Sequence, residues 1–242
     1  MESTVIQVNN LTKKFGAFKA VDAISFEVQA GEIFGFLGAN GAGKTTAMRM
    51  LTGLSRPSSG EASVAGYDVY RQAEQIKQNI GYMSQKFSLY EDLSVKQNIR
   101  FYGGIYGMSR QAIRDKTEEI LQNLQLESVA KQLVQSLPLG WKQRLAFSVA
   151  LMHDPTIVFL DEPTGGVDPV TRRQFWEMIY EAAHTGKTIF VTTHYMDEAE
   201  YCDRVSIMVA GKIEALDSPK GLKETFSADS MDDVFLRLAR EG

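Results

Sequence analysis

The run Gly38-Ala39-Asn40-Gly41-Ala42-Gly43-Lys44-Thr45 has the G-x-x-x-x-G-K-[ST] spacing of a loop built to hold a phosphate. Glycines let successive backbone N–H groups turn towards one anion, and a following helix aims its positive end at the same point. Lys44 is then placed to reach β- and γ-phosphates, and the Thr45 hydroxyl to ligate Mg²⁺. A second run, Thr156-Ile157-Val158-Phe159-Leu160-Asp161-Glu162, is apolar and ends in two carboxylates. A buried strand of this kind delivers Asp161 to its C-terminal edge, where ligands collect in α/β sheets. There Asp161 can hold the Mg²⁺ shell while Glu162 faces an attacking water.

These groups need elements to position them. Short apolar or alternating runs predict strands at 5–8, 24–28 and 33–37, the last leading directly into the glycine-rich loop. Met48, Met50, Leu51 and Leu54 then supply one apolar helix face. Further strands are expected at 62–66 and 80–84. From about residue 88 to 155 the pattern is helical. Ser94 caps one helix, and Ser109 caps a second whose Ile113, Ile120, Leu121 and Leu124 fall mostly at helical spacing; a third carries Leu145, Val149 and Met152. Strand signals return at 156–160, 188–192 and 205–209, the first two separated by a helix over 170–183. Strands alternating with helices imply parallel pairing. The reading is an α/β core lobe in two pieces, 1–87 and 156–242, interrupted by a helical insertion over 88–155.

Composition narrows the function classes. The 242 residues are 44% hydrophobic and 23% charged, which excludes a disordered chain. A net charge of −4 gives no global field to recruit nucleic acid or an anionic membrane. Cys202 is the single cysteine and has no internal disulfide partner, as expected in a reducing compartment. Apolar stretches such as 147–152 fall far short of the ~20 residues that cross a bilayer. Met1-Glu2-Ser3-Thr4 lacks the basic and apolar regions of a signal peptide. The expectation is a cytoplasmic protein whose membrane role, if any, runs through a partner.

Taken in order, the motifs resemble the nucleotide-binding domain of an ABC (ATP-binding cassette) transporter over nearly the whole chain. Gly38 to Thr46 resembles its Walker A run, and Ile157 to Glu162 its Walker B. Gln85, in Tyr82-Met83-Ser84-Gln85, falls at the Q-loop, where its amide oxygen could ligate Mg²⁺ or a water. Pro163-Thr164-Gly165-Gly166-Val167-Asp168 resembles the segment ending in the D-loop aspartate, and His194 the switch histidine. Phe15 stands where the family stacks an aromatic on adenine; by its residue type alone it could equally be a core aromatic near a sheet edge. His153 and His184 read as structural. The resemblance implies a P-loop NTPase core with a mostly parallel sheet, an N-terminal antiparallel β region and an inserted helical subdomain. It also implies ATP and Mg²⁺, and a head-to-tail dimer with a second cassette, identical or not. A transmembrane permease would hold the chain on the cytoplasmic face of the membrane. The runs Thr193-His194-Tyr195-Met196-Asp197-Glu198-Ala199-Glu200 and Met231-Asp232-Asp233-Val234-Phe235-Leu236-Arg237 are similar to ATPase subunits of ABC-2-type exporters.

One motif departs from that pattern. The family signature Leu-Ser-Gly-Gly-Gln is here Leu137-Pro138-Leu139-Gly140-Trp141. In the family this loop caps the nucleotide of the opposite subunit through the serine hydroxyl and backbone N–H groups. Pro138 has neither donor, and Leu139 puts a side chain where backbone must approach closely. Pro138 in the first helical position, with Ser136 close before it, would still aim a helix N-terminus at the phosphate. Two other readings stay open: a degenerate or regulatory cassette with weak hydrolysis, and a soluble ABC ATPase acting on ribosomes or DNA. The segment Lys86-Phe87-Ser88-Leu89-Tyr90 corresponds to the groove that receives a transporter's cytoplasmic helix. Its large side chains could instead pack inside the helical insertion.

Overall fold

The structure, a computed structural model, describes residues 3–85 and 89–241. The chain begins with a long antiparallel pair, β1 (Thr4–Phe15) and β2 (Phe18–Gln29), followed by β3 (Ile33–Leu37) and α1 (Lys44–Leu51). Next come β4 (Ser59–Val64), β5 (Tyr67–Asp68), α2 (Ala73–Asn79) and β6 (Ile80–Met83). Three helices then run in succession: α3 (Val95–Ile105), α4 (Arg110–Asn123) and α5 (Leu139–Leu151). The remainder alternates again, through β7 (Ile157–Asp161), α6 (Pro169–His184), β8 (Thr188–Thr193), β9 (Arg204–Val209) and β10 (Lys212–Asp217). Helices α7 (Pro219–Thr225) and α8 (Met231–Glu241) follow.

Two sheets form. One has the order β10-β9-β3-β8-β7-β6, parallel except for the antiparallel β10; the other is antiparallel with the order β2-β1-β4-β5. The period of two along each strand decides which core a side chain joins. Phe34, Phe36, Phe159 and Phe190 leave the parallel sheet on one face; Phe26 of β2 meets Phe34, Phe36 and Phe190, Phe159 meets Phe190, and the ring centroids are 5.2–6.2 Å apart. Val158, Leu160, Ile189 and Val191 leave the other face, towards Leu145, Val149, Phe175 and Ile179 of the helices. A strand buried on both faces reads as a continuous apolar run. That is how β3 and β7 are written, whereas β8 buries Thr188, Thr192 and Thr193 around its apolar centre.

Several local expectations need correction. The strands expected at 5–8 and 24–28 are each 12 residues long. Register shifts between Val8 and Leu11 and on to Lys14 break the alternation that would have marked their full length. Leu54 lies beyond α1 and is exposed, because Gly53 takes a positive φ of 71° and turns the chain away. Ser94 and Ser109 cap α3 and α4 as expected, each accepting a backbone N–H. Ser136 does not cap α5. A 3₁₀ turn (Val134–Ser136) and extended Leu137 intervene, and the Ser136 hydroxyl donates to the Leu133 carbonyl at 2.7 Å. Pro138 is the residue before the helix rather than its first residue, and its carbonyl accepts from the Trp141 and Lys142 N–H groups. The first-turn N–H groups of Leu139 and Gly140 thus stand ahead of the first helical bond. Phe87, with Lys86 and Ser88, lies outside the described residues.

Candidate nucleotide site

The loop from β3 to α1 is held by its glycines. Gly43, directly before α1, has φ 109°, and a Cβ there would collide with the Ala20 carbonyl oxygen. Lys44 folds back under the loop: its Nζ donates to the carbonyls of Gly38 at 2.7 Å and Ala39 at 3.2 Å. Gly41, Gly43, Thr45, Thr46 and Asn40 line a cleft of about 420 Å³ together with Lys44, Gln85 and Glu162. Phe15 and Phe18 close its outer end. Both rings are largely exposed, 57% and 65%, which settles the choice left open for Phe15 in favour of a surface aromatic. Phe15 and Phe18 pair across the β1–β2 turn, so they share one face of the sheet. Ala42 is buried under the loop.

Parallel register assembles the carboxylate end of the cleft. Asp161 of β7 stands beside Thr192 of β8, whose hydroxyl donates to Asp161 Oδ1 at 2.6 Å. The Thr45 hydroxyl lies 3.3 Å from the same oxygen. Burial pushes the Asp161 carboxyl above its usual range, against those two hydrogen bonds. Burial also pulls the Lys44 ammonium below its usual value, opposed by the carboxylate of Glu162. The next residue, Glu162, has a positive φ of 49°. Its N–H donates to both the carbonyl and hydroxyl oxygens of Thr192, each at 3.1 Å. Such a conformation persists only where the surroundings impose it, and it is most often met at functional sites.

Glu162 is the meeting point of the site. Gln85 Nε2 donates to its Oε2 at 2.8 Å. Lys44 Nζ lies 3.5 Å from its Oε1. His194 Nδ1 comes within 3.1 Å of its Oε2, a close approach without hydrogen-bond alignment. Of the sequence candidates, Gly38 to Thr46, Gln85, Asp161, Glu162 and His194 therefore lie together, with Phe15 at the rim. Thr192 and Phe18 were missed; the only signal for Thr192 was its place two residues before His194 on an apolar strand.

The signature residues and Asp168 lie apart from this cleft, where α5 meets α6. Asp168 caps α6, its Oδ1 accepting the N–H groups of Val170 and Thr171 at 3.0 Å. A Cβ on Gly140 would stand 2.5 Å from Thr171 Cγ2, so glycine is what lets the two helix starts touch. Leu139 rests on the turn at Gly166; Leu137 is buried, and Trp141 is partly exposed at 38%. His153 Nε2 donates to the Ile80 carbonyl at 3.0 Å and its ring stacks on Tyr106, as a structural histidine. Cys202 is buried, and burial pushes its thiol well above the ordinary range.

Asp161, the Thr45 hydroxyl and the amide oxygen of Gln85 form an oxygen-only donor set, which suits a hard divalent cation such as Mg²⁺. Among the described residues no group of three His, Cys, Asp or Glu side chains could hold a metal by itself. Such a set fits a cation that shares its shell with phosphate oxygens. Among the described residues no helix is long and apolar enough to cross a membrane.

Comparison with known proteins agrees with this geometry. The family model "ABC transporter" matches residues 21–165. The Escherichia coli (strain K12) protein named "Probable multidrug ABC transporter ATP-binding protein YbhF" is 48% identical over 243 residues, covering 98% of this chain. The match spans only 42% of that relative's length. "Nod factor export ATP-binding protein I" of Burkholderia lata is 41% identical, over 91% of this chain and 73% of that protein. A dimeric ATP-binding cassette in a post-hydrolysis state, bound to ADP and Pi, superposes with a TM-score of 0.79 at 25% identity, covering 88% of this chain and 98% of that one. With its phosphate loop, its two carboxylates and its two-sheet fold in that arrangement, the chain belongs to the ABC transporter family, as an ATP-binding cassette.

Proposed function

We propose that this cassette hydrolyses ATP to power an ABC exporter, working as a nucleotide-sandwich dimer beneath a transmembrane permease. The observation that carries the reading is the convergence of Lys44, Gln85 and His194 on Glu162 at the edge of the phosphate-loop cleft. Phe15 stacks on the base. The loop N–H groups and Lys44 hold the β- and γ-phosphates, and Thr45, Asp161 and Gln85 hold Mg²⁺. A cation held by these residues would supply positive charge to offset that of the phosphates. Glu162 takes a proton from water as the water oxygen attacks the γ-phosphorus, and the bond to the β-phosphate oxygen breaks. ADP and inorganic phosphate leave. His194 steadies the Glu162 carboxylate and the γ-phosphate. The second cassette contributes its Leu137–Trp141 loop and its Asp168 side.

The relatives named for multidrug transport and Nod factor export support the exporter class. The permease surface is the aromatic cluster after Gln85: Tyr90 and Phe101 meet edge to face at 4.8 Å, and both remain 40–50% exposed. Leu89 beside them is buried. Steady-state phosphate release, at concentrations that populate the dimer, tests the hydrolytic reading against Glu162→Gln. Tyr90→Asp should abolish co-purification with the membrane partner while ATP binding persists. A collapsed melting temperature in Tyr90→Asp would instead make the cluster core.

A second reading, a slow cassette, is favoured by the start of α5. Pro138 supplies no hydroxyl, no side chain caps the helix, and Leu139 is engaged with the chain's own Gly166 turn. The signature variant described below decides between the two.

A further inference from the structure

We propose that Glu198 and Arg172 are positioning residues for hydrolysis, clamping the loop after Glu162 to the segment that carries His194. The inference rests on the hydrolytic reading above. Glu198 lies in the 3₁₀ helix Met196–Tyr201 that follows His194, and its carboxylate is completely buried. A buried carboxylate needs partners, and this one has two, both at Oε1, while Oε2 makes no hydrogen bond among the described residues. The Thr164 hydroxyl donates to its Oε1 at 2.5 Å, and Arg172 Nε lies 3.6 Å from the same oxygen, at ion-pair distance.

Each partner leads back to a catalytic group. Thr164, itself buried, sits two residues beyond Glu162, inside the turn closed by the Gly165 N–H on the Glu162 carbonyl at 3.2 Å. Tethering Thr164 helps impose the left-handed backbone of Glu162, a conformation that must be imposed from outside. Arg172, in the first turns of α6, lays its guanidinium over the Tyr195 ring at 4.1 Å, and that ring lies 4.2 Å from the His194 ring. Its Nη1 also donates to Asp197 at 3.3 Å. The path Glu162–Thr164–Glu198–Arg172–Tyr195–His194 therefore joins two residues 32 positions apart by contacts outside the nucleotide cleft. What it sets is the 3.1 Å approach of His194 to Glu162.

Neither Glu198 nor Arg172 lines the cleft, so their loss should act on turnover and not on nucleotide affinity. Glu198→Gln keeps size and an acceptor for Thr164 but removes the charge that faces Arg172. Arg172→Lys keeps the charge but loses the planar stack on Tyr195. Each should lower kcat roughly tenfold, with KM for ATP within about twofold of the parent. The double variant should be no slower than the slower single, because both act through one clamp. Arg173→Lys, on the exposed face of α6, is the control and keeps the parental kcat. Unchanged kcat in both single variants overturns the clamp, as do multiplicative losses in the double variant or a KM that rises in step with falling kcat. If Glu198→Gln fails to fold, Arg172→Lys decides alone by the same kcat and KM criteria. A parent whose phosphate release does not depend on Glu162 overturns the hydrolytic reading, and the clamp with it.

Discussion

Nζ of Lys44 lies 3.5 Å from Oε1 of Glu162, and both side chains are nearly buried, 4% and 8% exposed. On the proposed mechanism, the residue that would hold phosphate and the residue that would activate water thus form one ion pair. A γ-phosphate arriving at the proposed site would compete with Glu162 for Lys44. Glu162→Gln removes that competitor along with the base. We expect ATP affinity to be retained or raised while turnover falls by about 10²–10⁴, and nucleotide-bound dimer to accumulate. Phosphate release and size-exclusion chromatography with ATP check this; unchanged turnover would give the water-activating role to another group.

Lys44→Ala leaves the Gly38 and Ala39 carbonyls and the Glu162 carboxylate facing the phosphates without a cation. Mg·ATP binding, followed with a fluorescent analogue, should collapse together with turnover. Parental values for both would remove Lys44 from the site.

If Phe15 stacks on the base as proposed, Phe18 beside it would offer a second apolar face. Losing one aromatic contact is worth ~0.5–1.5 kcal/mol, about two- to tenfold in Kd. Phe18→Ala should weaken ATP by that factor and leave tripolyphosphate, which has no base, unaffected. Equal weakening of both ligands would place the effect in the loop backbone.

Burial raises the Asp161 carboxyl, so the folded state disfavours its charge. That penalty is fully present above the folded value and vanishes as pH falls below the ordinary carboxylate value near 3.8. Asp161→Asn should therefore melt higher than the parent near pH 7, and lose the cation. The difference should shrink as pH falls. A variant that melts lower at pH 7 would mean that Thr45, Thr192 and Lys44 more than offset the burial.

Against the signature that the motifs resemble, Pro138 lacks the serine's donors and Leu139 adds a side chain where backbone would approach; one such donor for transition-state charge is typically worth ~10²–10³ in rate. Pro138→Ser with Leu139→Gly should raise turnover at least several-fold. The gain stays below the full factor because the first-turn N–H groups of α5 already supply part of the field. The pair also loses the contact of Leu139 with the Gly166 turn, so melting is followed in parallel. A well-folded variant no faster than the parent means that the loop is not limiting. The missing donor would then come from a second cassette with an intact signature.

Much of this protein is legible along the chain because its rules are local. The phosphate loop is one unbroken run, and β3 and β7 announce two-faced burial by nearly continuous apolar sequence. Ser94 and Ser109 declare two helix starts three residues ahead of the N–H groups they accept. Asp168-Pro169 has the same form, a cap followed by proline, yet its capping role was hidden behind its motif. Only the tertiary structure decided that Glu162 adopts a left-handed backbone, that Thr192 serves both Asp161 and Glu162, and that Lys44, Gln85 and His194 converge on one carboxylate. These groups lie up to 150 positions apart, and no periodicity in one stretch records its neighbour across a sheet. Parallel register brings Asp161 level with Thr192, and the order β3-β8-β7-β6 then sets the loops that follow these strands side by side at one edge. The sequence determined which residues could do the chemistry; the pairing of strands determined which of them meet.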